Sequence, residues 1–207
     1  MRPAPLVFGC AVLAAIWSGP VDALPPGAFS AHMARHMGLV AIAAPALAFA
    51  IAGTRLDPVR GAGFLFPPLL ASVAELIVVW VWHAPGPHHW ARGSSLGFAL
   101  EQATFLASGS WLWLAALGGD ASRRGERAGQ GALALLLTSM HMTLLGALLA
   151  LPLRPLYHVH HQAARALDDQ HVGGAIMLVV GGAVYLAGSL WLARELLRRE
   201  SAEGRTS

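Results

Sequence analysis

Five stretches of the chain are apolar with few interruptions: roughly residues 32–53, 64–82, 97–117, 130–151 and 172–193. At about 1.5 Å of rise per residue, each is long enough to cross a hydrocarbon layer of roughly 30 Å as a helix. Short polar connections separate them, so the pattern predicts an all-α, polytopic transmembrane helical bundle with five long spans. Residues 1–23 form a shorter unit, with Arg2 ahead of an apolar run from Leu6 to Trp17 and the small-residue sequence Val21-Asp22-Ala23 behind it. This outline suits either a signal peptide or a sixth span. The helical membrane domain then covers 24–197, and 198–207 form a tail. Pro45 falls inside the first long stretch, where it predicts a kink and a freed carbonyl at Ala41; Pro67-Pro68 marks the start of the second.

Composition supports a membrane protein. The chain is 56% hydrophobic and 12% charged, where a soluble domain carries about a quarter charged residues. A pI near 10.0 does not imply nucleic acid, because the 14 basic residues are all arginine, scattered at segment ends where topology signals belong. One alternating set of connections holds nine arginines (Arg55, Arg60, Arg123, Arg124, Arg127, Arg194, Arg198, Arg199, Arg205) and the other holds four (Arg35, Arg92, Arg154, Arg165). By the positive-inside rule the first set, with the C-terminal tail, is cytoplasmic. The expected location is the bacterial inner membrane. Cys10 is the single cysteine, which excludes an internal disulfide and a Cys-x-x-Cys metal site.

On that topology none of the ten histidines falls in a cytoplasmic connection. His32-Met33 and His36-Met37 repeat at a spacing of four, placing two imidazoles on one helical face and two thioethers on the adjoining one. Met140-His141-Met142 lies near mid-bilayer, a depth at which an ionisable group is a functional candidate facing the bundle interior. The connections add Trp82-His83, His88-His89 and Tyr157-His158-Val159-His160-His161. Imidazole with thioether is the ligand set that suits copper, above all Cu(I). The core site expected from this pattern is His36, His83 and His141, with Met37, Met142 and His171 near it. His32, His88 and His89 are expected at its mouth, and the remaining loop histidines as weak capture sites.

Glu75 lies deep in the second stretch, where a carboxylate must be protonated or paired, and His141 at similar depth is the expected partner. Glu101 shares a helical face with Thr104 and Ser108. Asp168 and Asp169 suit a helix N-terminus, and Glu75, Glu101 and Asp169 are expected as second-layer partners of a metal site or as proton acceptors. Gly173, Met177, Gly181, Tyr185 and Ser189 recur every fourth residue, a face suited to close helix packing.

At these residues the chain resembles the CtaG family of polytopic caa3-type cytochrome c oxidase assembly factors. The motifs run in order: His32-Met33-Ala34-Arg35-His36-Met37, Trp82-His83-Ala84-Pro85, Glu101-Gln102, His141-Met142 with Leu145-Gly146-Ala147 and Pro155-Leu156-Tyr157, then Asp169-Gln170-His171-Val172-Gly173-Gly174. Gln102 stands where members often carry histidine. The resemblance implies a non-enzymatic role in maturing a haem-copper oxidase, with oxidase subunits as partners and copper as cargo on the periplasmic side. Two other readings fit the residues alone. A haem-binding electron-transfer protein would use histidines as axial ligands, and a copper or proton transporter would line its path with Glu75 and His141.

Overall fold

The computed structural model describes residues 1–18, 28–120, 124–157 and 163–203. They are predominantly helical, with no strand among the described residues. Helix α1 is Pro3–Ser18. Helix α2 (Phe29–Met37) runs through a π turn at Gly38–Ala43 into α3 (Ala44–Ile51), one rod of 23 residues. A short α4 (Pro58–Ala62) and a 3-10 turn (Gly63–Leu65) precede α5 (Pro68–His83) and α6 (Pro85–Gly93). Then come α7 (Ser95–Leu117), α8 (Arg124–Ala150), α9 (Ala163–Ile176), a second π turn (Met177–Gly181) and α10 (Gly182–Glu203).

Each of the five apolar stretches is therefore helical. Among the described residues three helices are long and apolar enough to cross a membrane: Phe29–Ile51, Arg127–Ala150 and Arg165–Arg198. A fourth counts if α5 and the turns before it form one broken span, for they bend by 77°. The bend corrects the second stretch, which starts as a helix at Pro68 and not at residue 64. Pro67 and Pro68 have no N–H to donate and disfavour helical backbone in the residue before each, so Phe66 (ψ 52°) lies outside the helical region and Pro67 (ψ 121°) is extended. Helix α7 matches the first rod at 23 residues. Glu101, Gln102 and Ser108 lower its apolar content, and all three are buried inward.

The π turn is how the first rod accommodates Pro45. In that register the Ala44 N–H reaches back five residues to Leu39. The next donor would be Pro45, which has none, so the orphaned carbonyl is Val40 and not Ala41 as an α-helical count predicts. Two other helices satisfy it: Trp113 of α7 donates its Nε1–H at 3.0 Å and Tyr185 of α10 donates its hydroxyl at 3.1 Å. A local defect thus becomes the tie between three helices.

Helix α8 lies at the centre, against α5, α7, α9 and α10, while α2 packs on α9 and α1 lies along the first π turn and α3. Between apolar helices in lipid, close packing replaces the hydrophobic drive. At Gly146 and Gly174 a methyl group would sit 2.6 Å from the Leu178 nitrogen and 2.5 Å from the Ala150 nitrogen, so α8 can approach α9 and its π turn this closely only with glycine there. The four-residue periodicity behaves as expected: Gly173 meets Phe29 and Met33, Gly181 meets Met37 and Met142, and Ser189 donates to the Ala132 carbonyl at 2.7 Å. Helix α1 belongs to the same packing, with Gly9 on Leu47 and Ile16 on Gly38. The Val21-Asp22-Ala23 sequence and the loop histidines His158, His160 and His161 lie outside the described residues.

Candidate metal centre

The start of α2, the end of α5, the start of α7 and α6 between them meet at one end of the bundle. Asp169, from α9, fixes the first turn of α2. Its carboxylate accepts the Phe29 N–H at 2.5 Å, the Ser30 N–H at 3.3 Å and the Ser30 hydroxyl. These are amide donors that a helix start otherwise leaves unmet. Asp169 therefore caps a helix, though not its own. With α2 pinned, His32 and His36 face inward, 1% and 0% exposed.

His83 closes α5. Its Nδ1–H donates to the Val79 carbonyl at 2.6 Å, because a carbonyl can only accept. That bond fixes the tautomer and leaves the Nε2 lone pair free, the arrangement found behind metal-bound histidines. Helix α6, opened by Pro85, folds back over the site and buries His88. Ring centres of His32 and His88 are 4.9 Å apart, of His32 and His83 5.2 Å, and of His36 and His83 5.2 Å. Two imidazoles on one tetrahedral ion, with metal–nitrogen bonds of about 2.0 Å, place their ring centres roughly 5 Å apart.

Both nitrogens of His32, His36 and His141, Nε2 of His83 and Nδ1 of His88 are buried without a hydrogen-bond partner. Phe105 lies under the cluster, 4.0 Å from the His36 ring. Tyr157 roofs it: its ring stacks on Phe29 at 4.6 Å and lies 4.4 Å from His88, and its hydroxyl donates to the His83 carbonyl at 2.7 Å. Burial, with His32 and Arg92 close by, pushes the His88 imidazole down to about 2, so it is neutral and its lone pair is available at ordinary pH.

Glu101 enters from α7, fully buried. Its Oε2 accepts from Arg92 and, at 3.2 Å, from the Gln102 amide. Its Oε1 has no hydrogen-bond partner and lies 3.6 Å from His32 Nδ1. One ligand atom each from His32, His88 and Glu101 lies within 4.8 Å of the others, the one such group of three among the described residues.

A family model for the cytochrome c oxidase caa3 assembly factor (Caa3_CtaG) matches residues 1–199. The chain belongs to this family. No curated protein and no solved structure matches it. Within this assembly-factor family member, the residues singled out by the sequence separate into several places. His36 lies beside His83 and within electrostatic reach of His141, but the three do not close to the spacing of the His32 group. Met37 and Met142 are buried and meet over Gly181, on the face of α2 adjoining the imidazoles. His89 is exposed, with its ring 6.3 Å from His88. His171 stands apart, donating from Nε2 to the Pro152 carbonyl at 2.8 Å.

Glu75 is paired, but not with His141. Its Oε1 accepts from the Tyr185 hydroxyl at 2.5 Å, the group that also reaches Val40. Sequence reasoning missed Arg92, Phe105 and the Tyr157 roof. Arg92 carries a usable signal, being one of four arginines in connections otherwise rich in histidine.

Proposed function

We propose that this chain is an inner-membrane assembly factor that takes up copper at the periplasmic face and hands it to a subunit of a haem-copper oxidase, with no catalytic turnover of its own. The observation that carries this reading is the set of buried imidazole nitrogens without hydrogen-bond partners. A buried polar atom left unpaired is costly, and one such group calls for an explanation. Several converging from four helices are accounted for by an ion that they bind. His36, His83 and His141 form the core of the copper site, with the Met37 and Met142 thioethers beside it, and His32, His88 and His89 lead in from the mouth. Imidazole and thioether without thiolate favour Cu(I).

The arginine asymmetry supports placing this end of the bundle outside and the C-terminus in the cytoplasm, with five long spans and α1 lying against the first of them. A haem reading has less support: axial imidazoles need an open slot for the porphyrin between them, and Phe105 packs against His36, His32 and His83 at 4.0, 6.2 and 6.1 Å. The test is anaerobic metal analysis of the purified protein in detergent. Wild type and His171→Ala should bind Cu(I) equally, and His36→Ala and His83→Ala should lose it. A deletion strain should recover copper-loaded oxidase with wild type and not with His36→Ala. Unchanged Cu(I) stoichiometry and affinity in both cluster variants would refute the assignment.

A further inference from the structure

We propose that His32, His88 and Glu101 form a second metal site, chemically distinct from the His36–His83–His141 set, that binds a divalent borderline cation, Cu2+ or Zn2+. It extends the copper-handling reading without depending on it.

Geometry is the first ground, since these three side chains converge more closely than the deeper imidazoles do. Ligand atoms around a tetrahedral ion stand roughly 3.3 Å apart, so side-chain adjustments of about an ångström suffice to close the set. Burial is the second. The three residues are 1%, 5% and 0% exposed, and both His32 nitrogens, His88 Nδ1 and Glu101 Oε1 lack a hydrogen-bond partner. The third is the support behind the carboxylate. Arg92 and Gln102 occupy Oε2 and so hold Oε1 toward the imidazoles, as outer partners orient a ligating carboxylate.

Ligand chemistry separates the two sites. The outer set has a hard carboxylate oxygen with two nitrogens, and carboxylate with imidazole suits divalent ions. The inner set has no carboxylate, and its soft neighbours are Met37 and Met142, which suits a monovalent ion. Position gives an order, because His88 stands next to the exposed His89 while His36 lies a turn deeper along α2 than His32. An ion arriving from outside meets the carboxylate site first.

Purified full-length protein in detergent, titrated with Zn2+ against a chromophoric chelator, gives the decisive measurement. Wild type should bind Zn2+ with micromolar or tighter affinity. Glu101→Gln and His88→Ala should each weaken it at least roughly tenfold. His36→Ala should retain Zn2+ while losing Cu(I). Zn2+ binding unchanged in both Glu101→Gln and His88→Ala, or abolished in His36→Ala, would overturn the two-site proposal. If the variants fail to fold, the Cu2+ electron paramagnetic resonance of wild type decides. Hyperfine structure from two imidazole nitrogens supports the site, and three or four nitrogens overturn it. Wild type that binds Zn2+ but no Cu(I) would count against the proposed copper site and leave this one standing.

Discussion

Tyr185→Phe removes one oxygen from the middle of the bundle and should be more disruptive than that suggests. The ring stays, so the Trp113 stack at 5.4 Å survives and no cavity forms. What goes is the hydroxyl bridging Glu75 Oε1 and the Val40 carbonyl. Val40 keeps the Trp113 indole. Glu75 keeps nothing, because Oε2 already lacks a partner and the residue is fully buried. Stranding a buried polar group costs about 1–3 kcal/mol. Taking about 2 kcal/mol, a chain of this size should lose roughly 4–8 °C of thermal stability. Replacing both partners with apolar groups removes the stranded atom, so Glu75→Leu/Tyr185→Phe should be more stable than the two single effects added together, by about 1 kcal/mol or more. The assay is thermal unfolding in detergent followed by circular dichroism, with the four proteins of the cycle side by side. His141→Ala should be additive with Glu75→Leu, since the two side chains are not partners. A silent Tyr185→Phe, or strict additivity in the Glu75/Tyr185 cycle, would show that this hydrogen bond does not hold the three helices together.

Gly174→Ala drives a methyl against the Ala150 backbone and should cost about 1–3 kcal/mol, read as a lower unfolding temperature. Gly86→Ala, with open space around it, should leave that temperature unchanged. Equal effects would mean that α8 and α9 do not cross where described. Asp169→Ala removes the cap of α2 and should cost about 1 kcal/mol; hydrogen exchange at the Phe29 and Ser30 amides should quicken, and unaltered exchange there would count against the cap.

Helix positions were legible in the sequence because apolar runs and arginine-marked ends are local properties of a chain in a membrane. The inward faces of His32, His36, Met33 and Met37 followed from a spacing of four. So did the packing face from Gly173 to Ser189. What sequence could not supply was partnership across helices. Glu75 and His141 have similar depth, but depth along a helix says nothing about azimuth, and Tyr185, on a face read as structural, takes the carboxylate. His171 stands in a run that matches the family pattern, yet its ring points to the loop at Pro152. Asp169 looked like a cap for its own helix and caps another, because only the folded bundle brings α9 beside the start of α2. Arg92 was read as a topology marker, and its contact with Glu101 depends on α6 folding back over α7.

The π turn at Gly38–Ala43 also bears on how the chain tolerates changes in length. Such a turn accommodates one residue more than an α-helix does over the same advance. Deleting a residue there lets the rod return to regular winding while Phe29–Met37 keep their heading, so His32 and His36 still address α5 and α7. The same deletion within α5 or α8 would swing one side of the helix by about 100° relative to the other. The first rod thus has a single elastic joint. Shortening it spares the imidazoles and falls instead on Trp113 and Tyr185, which would lose the carbonyl that they share.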